Sequence, residues 1–238
     1  MASSAETLEQ RYKNAVESFK QKKTKTALEN LKVIVLDENT TRKIRIKSYE
    51  LLAKICVEKE QFEKAIKLYK NTLNHLKESE WELKARMYNN IGLLYNRLKD
   101  NEKSIKYQEL CYEAIKKHGD KRGESIAMRN LGRAYTLQGD HVKSLRLYED
   151  SLKIKRKLGD NLGMARNYES MAEDFEFNEE FDKAIEYYEK ALKIYLDGGI
   201  LDEVERVKRG IQKVKDWKKD IEEYDEYYMY DIDSSDQF

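Results

Sequence analysis

Residues 128–151 read MRNLGRAYTLQGDHVKSLRLYEDS, and displaced copies of this pattern lie on both sides. Shifted by 40 residues, Leu131-Gly132 falls on Ile91-Gly92 in one direction and Met171-Ala172 in the other. Tyr135 falls on Tyr95 and Phe175, Ser144 on Ser104 and Ala184, and Ser151 on Cys111 and Ala191. One step earlier the shift is 39, with Leu52-Ala53, Cys56, Phe62, Ala65, Tyr69 and Thr72 in the same slots. A fainter copy holds Ala15, Ala27, Leu31 and Ile34. Self-similarity at such a period is the mark of stacked supersecondary units. Five units follow, at about 8–38, 46–78, 85–118, 125–158 and 165–196.

Each unit reads as two helices. Met128, Leu131 and Tyr135 recur at helical spacing, and so do Val142, Leu145, Tyr148 and Leu152. Between them Gln138-Gly139-Asp140 supplies a glycine for a left-handed helix end and an aspartate to cap the next helix. Gly92, Gly132 and Ala172 are expected where the first helix presses closest on its partner, with large rings filling the space beside them. Composition agrees with an all-α chain. Proline is absent, and 38% of residues are charged. No stretch is apolar enough to span a membrane, and the N-terminal residues lack the apolar core of a signal peptide. Two cysteines, Cys56 and Cys111, cannot build a disulfide framework, which favours a reducing compartment, cytoplasm or nucleus.

The pattern of large apolar residue, Gly or Ala, aromatic, then Ala or Ser, aromatic, Ala or Ser resembles the tetratricopeptide repeat (TPR). Leu131-Gly132, Tyr135, Ser144, Tyr148 and Ser151 carry it residue by residue. The 40-residue period departs from the usual 34, and the usual unit-end proline is missing. With the Gly-Asp-x-x-Gly turn, as in Gly119-Asp120 with Gly123, the period is similar to the subclass in LGN/Pins-type adaptors. The resemblance implies a right-handed solenoid of about five helix-turn-helix repeats at 8–200. It also implies a non-catalytic interaction adaptor or scaffold that holds a partner peptide on the concave face lined by first helices. The family's binding slots fall on Lys47 and Lys54, on Arg86, Asn89 and Asn90, on Arg129, Asn130 and Arg133, and on Arg166, Glu169 and Glu173. Asparagine at such a slot can both donate to and accept from a peptide backbone, and arginine forks onto carboxylates. The chaperone-tail carboxylate clamp is not expected, because Leu93 and Ser170 occupy two of its five slots.

A solenoid needs a terminal helix to cover its last apolar face. Leu201, Val204, Val207, Ile211, Val214, Trp217, Ile221, Tyr224 and Tyr228 supply the stripe, so 201–228 is expected to cap the array, fraying after Asp220. The same stripe could instead form a homodimer seam. Residues 1–7 and the acidic tail 229–238 are expected to be disordered. Net charge is +1, yet residues 220–238 carry eight acids and no Lys or Arg. That leaves the preceding body basic, and the tail could modulate a groove that takes an acidic segment. No cofactor, metal site or catalytic set is expected, since His75, His118 and His141 are scattered without ligand spacing. Two other classes compete with the adaptor. One is a nucleic-acid-associated scaffold, for which Lys20, Lys22, Lys23 and Lys25 are the candidates; the other is a self-assembling subunit.

Overall fold

A computed structural model describes residues 7–235, with side chains to Tyr224. The described residues form helices and no strand: α1 (Leu8–Lys20), α2 (Thr24–Leu36), α3 (Arg42–Glu58), α4 (Phe62–Asn74), α5 (Trp81–Arg97), α6 (Asn101–Lys117), α7 (Lys121–Gln138), α8 (His141–Lys157), α9 (Asn161–Phe177), α10 (Phe181–Asp197) and α11 (Leu201–Ser235). They divide into two compact units, residues 1–118 and 119–238. Within the first, α1 packs on α2, α3 on α4 and α5 on α6; within the second, α7 packs on α8 and α9 on α10. The architecture is the all-α array of helix-turn-helix pairs expected from the sequence.

The polar first turns move the helix starts outward from the apolar pattern. Helices α3, α5, α7 and α9 each begin four residues before the unit boundary read from the sequence. Asp120 accepts from the Gly123 amide at 3.0 Å and Asp160 from the Gly163 amide at 2.9 Å, so the caps fix these starts. A Cβ on Gly163 would lie 2.2 Å from the Asp160 carboxylate, which explains the second glycine of the turn.

The turn after each first helix repeats its geometry without repeating its residue. Lys22, Glu60, Lys99, Gly139 and Glu179 all sit in the left-handed region, with φ between 55° and 86°. Four of these are not glycine, and an L side chain there costs about 1–2 kcal/mol. Replacing Lys99 by glycine is therefore expected to stabilise the protein by about 0.5–1 kcal/mol, after glycine's own entropy loss. Thermal denaturation checks this; a lower Tm would show that the turn carries no strain.

The first unit holds two apolar clusters, one around Leu31, Ile34 and Ile55, the other around Tyr69, Met87 and Ile91. The second unit holds one, running from Tyr148 through Phe175, Tyr188 and Tyr195 to Val214. Gly132 is buried against the Tyr148 ring, and Gly92 against Gln108. The small slots are thus the points of close helix approach.

The last helix departs from expectation in two ways. It continues to Ser235, past both the fraying point at Asp220 and the boundary at 228, and Lys218–Glu222 and Lys219–Glu223 pairs bridge successive turns there at 3.8 and 3.2 Å. Its stripe also splits. Val204, Val207, Ile211 and Val214 are buried in the core of the second unit, whereas Trp217, Ile221 and Tyr224 are exposed. The first half of the stripe expected for a homodimer seam is packed within the chain. The expectations for 1–6 and 236–238 lie outside the described residues; Thr7 caps α1 through the Gln10 amide. No described helix is long and apolar enough to cross a membrane.

Candidate functional site

The second unit carries an open cleft of about 880 Å³. Its floor is Thr136, Tyr148 and Tyr188, all buried. One rim is the C-terminal end of α7 and α9, with Leu137 and Phe177; the facing wall is α11, with Trp217, Ile221 and Tyr224. These five side chains are exposed by 42–60% and form an apolar strip along one cleft. Phe177 is steadied by the His141 ring at 5.9 Å, and Trp217 by the Lys213 ammonium 4.6 Å above its face.

The floor rests on a buried polar network. Asp174, 1% exposed, accepts from the hydroxyls of Thr136 and Ser144, the latter at 2.6 Å, and lies 3.2 Å from His141 Nδ1. The Tyr148 hydroxyl is 3.0 Å from Thr136 Oγ1. The Ser144 hydroxyl lies within donating distance of the Asp174 carboxylate at 2.6 Å and of the His141 backbone carbonyl at 2.9 Å, which ties the serine into this network. Behind it, Lys155 is buried and gives its three protons to Ser125 O, Ser125 Oγ and Ser151 Oγ at 3.0–3.2 Å. Burial first, then the Arg129 charge, pulls its pKa down to about 8, with Asp160 acting in the opposite sense. A folded-state pKa below the unfolded one means a penalty that is full below pH 8 and relieved as pH rises from 8 toward 10.5. Relative to Lys155→Met, the wild type is expected to gain on the order of 2 kcal/mol between pH 8 and 10. Urea unfolding of both proteins at the two pH values checks this; parallel profiles would show that Lys155 titrates normally.

Of the residues expected at the binding slots, Arg133 and Glu173 line this cleft, and they pair with each other at 3.3 Å. Arg129 is half-buried beside Arg133, with its Nε buried and lacking a hydrogen-bond partner and its other end 3.4 Å from Asn130 Oδ1. Burial, followed by the charges of Arg133 and Arg166, pulls the Arg129 guanidinium below its usual range. Asn130 is 8% exposed and Arg166 is exposed. In the first unit, Arg86 forks onto Glu50 with both contacts at 2.9 Å. Asn90 bonds the Tyr69 hydroxyl, Asn89 offers its carbonyl to Gln108 at 3.3 Å, and Lys47 and Lys54 are exposed. The slots read from the sequence cluster near the middle of the first helices, whereas the cleft lies one to two turns further along, at their C-terminal ends. Phe177, Trp217 and Ile221 were read as pattern members or not at all; their exposure depends on how far α11 extends beyond the core.

Chemistry at other points is quiet. Cys111 is buried and its thiol is pushed up to about 12; burial also raises Cys56. No group of side chains suited to a metal ion occurs among the described residues. Lys20 closes α1, Lys22 and Lys23 form the turn to α2, and Lys25 lies in its first turn, all exposed.

Sequence comparison decides the family. The tetratricopeptide repeat matches residues 83–157 and 134–197, and a second description of the same repeat matches 48–80. The chain is a tetratricopeptide repeat protein. No curated protein sequence matches it. Among solved structures this TPR chain is similar to a signal-transduction ATPase with a TPR sensor from Pyrococcus horikoshii, at 20% identity and TM-score 0.68. That match covers 84% of the chain but 31% of the ATPase, so the chain spans about a third of that relative's length. Nearly identical TPR-like repeats from Podospora anserina match at 15% identity and TM-score 0.68, covering 84% of this chain and 99% of that one. A Rap protein solved in complex with Competence and Sporulation Factor matches at 18% identity and TM-score 0.62, covering 92% and 68%. At these identities the likeness establishes the TPR fold.

Proposed function

We propose that this TPR protein is a non-catalytic adaptor that holds a peptide segment of a partner protein on its first helices. The observation that carries the reading is the cleft of the second unit, whose apolar rim stays exposed although the core behind it is sealed. Its volume lies within the range of sites that enclose a ligand. The Rap complex offers a precedent of the same fold with a bound factor. Asn130, Arg129 and Arg166 in the second unit and, separately, Asn90, Asn89, Arg86, Lys47 and Lys54 in the first are the residues proposed to read a peptide backbone and its charges. Asp220 lines the cleft on its α11 side, and the acid-rich end of the chain that follows it is proposed to modulate binding. A cytoplasmic or nuclear adaptor of the long-period, LGN/Pins-like kind is the finer form of this proposal. Neither a nucleic-acid scaffold nor a self-assembling subunit is favoured by a specific observation.

The test is selection of a random linear-peptide library on the immobilised protein, with hydrogen exchange locating the bound peptide. Protection at the ends of α7 and α9 is the expected result, and Phe177→Asp should weaken binding about tenfold, roughly 1.4 kcal/mol. Absence of any enriched peptide, or protection confined to α8 and α10, would refute the reading.

A further inference from the structure

The cleft's charge specifies more than a generic peptide. Four carboxylates line it, those of Glu173, Glu176, Glu179 and Asp220, against two cations, Arg133 and Lys213. Both cations are already engaged: Arg133 with Glu173 at 3.3 Å and Lys213 with Glu176 at 2.5 Å. Glu176 also accepts from the Tyr188 hydroxyl at 3.2 Å. Glu179 and Asp220 remain, and neither makes an ion pair among the described residues. They flank the apolar strip of Phe177, Trp217 and Ile221. A cation over an aromatic face is accommodated at this wall, since Lys213 already stands over Trp217. The basic surplus of the rest of the chain makes this acidic mouth a local feature, the opposite of the acidic-ligand groove expected from composition.

From this juxtaposition we infer that the cleft of the second unit takes a basic, apolar-anchored segment of a partner protein. Aliphatic or aromatic side chains of the segment fill the strip between Phe177 and Trp217, and Lys or Arg residues of the segment meet Glu179 and Asp220. The inference rests on the adaptor reading and deepens it by fixing the sign of the partner's charge. Charge complementarity of this kind sets specificity and on-rate.

The experiment uses the full chain and the same random linear-peptide library, selected in parallel on the wild type and on Phe177→Asp, whose exposed ring can be replaced without opening the core. Peptides lost on Phe177→Asp are the cleft-directed ones. They are expected to carry an apolar residue flanked by Lys or Arg, and to shift the fluorescence of Trp217. Glu179→Lys with Asp220→Lys is expected to weaken them about tenfold and to favour their Glu-substituted analogues. The fold tolerates the first change, because Lys22 and Lys99 hold the same turn position in other repeats with φ of 59° and 58°. Cleft-directed peptides that are acidic, or indifferent to the double charge reversal, would overturn the inference and leave the adaptor reading standing. Absence of any peptide sensitive to Phe177→Asp would overturn both. Light scattering of the free chain covers the remaining occupant: a dimer dissociated by Trp217→Asp would assign the cleft to a second copy and overturn the inference.

Discussion

Gly132→Ala is expected to destabilise the second unit by about 2 kcal/mol, although alanine is the better helix former. A Cβ at this position would lie 2.6 Å from Cε1 of Tyr148 and 3.0 Å from Cδ1. Tyr148 cannot swing away, because its ring is fully buried and its hydroxyl is held at Thr136. The helices must part or the ring must leave its rotamer, and either outcome exceeds the propensity gain of about 1 kcal/mol. Gly210→Ala is the matched control with the opposite sign. Its Cβ would meet the Tyr188 ring at 3.6 Å, an ordinary contact, so propensity alone acts and stability should rise by about 0.5–1 kcal/mol. Urea unfolding of the two variants side by side checks the pair. Equal effects would mean that close approach does not select glycine at 132.

Asp174→Ala is expected to cost about 3 kcal/mol. The carboxylate is 1% exposed and is the shared acceptor for Thr136, Ser144 and His141. Alanine leaves those donors facing a void, which combines unsatisfied polar groups with a cavity. Asp174→Asn keeps one acceptor oxygen but turns an amide N–H toward the hydroxyls, so roughly half the loss is expected. Thr136 has a single hydroxyl proton and gives it to Asp174, so Tyr148 is the donor in its contact with Thr136. The two sites are therefore linked through one chain of hydrogen bonds, and combining Gly132→Ala with Asp174→Ala should cost less than the separate losses together. Strict additivity in a double-mutant cycle would break that link. A loss below about 1 kcal/mol for Asp174→Ala would mean that water takes over the carboxylate's role.

The repeat was legible because its signal is burial at helical spacing. Leu131, Gly132, Tyr148 and Ser151 are buried and recur at fixed offsets, so the sequence carries the packing directly. The helix starts were less legible, since first turns such as Lys121-Arg122 are solvated and held by side-chain caps rather than by apolar contacts. The left-handed turns at Lys22, Glu60, Lys99 and Glu179 were invisible, because nothing marks a charged residue as strained. Nothing in the sequence marks Lys155 and Asp174 as buried; only the structure shows that hydroxyls and carbonyls take the place of water around them. The binding slots followed the middle of the helices, where the repeat pattern is strongest. The cleft depends instead on the length of α11, a property of the chain's end that no repeat predicts.

That helix divides its labour along its length. The turns as far as Val214 hold the second unit shut, while the turns from Trp217 to Tyr224 touch the hollow and little of the interior. Substitutions on the distal turns therefore leave the body of the molecule standing while they reshape one wall of the hollow. Natural variation can alter the chemistry of that wall one side chain at a time, free of the penalty that a change in the interior would bring.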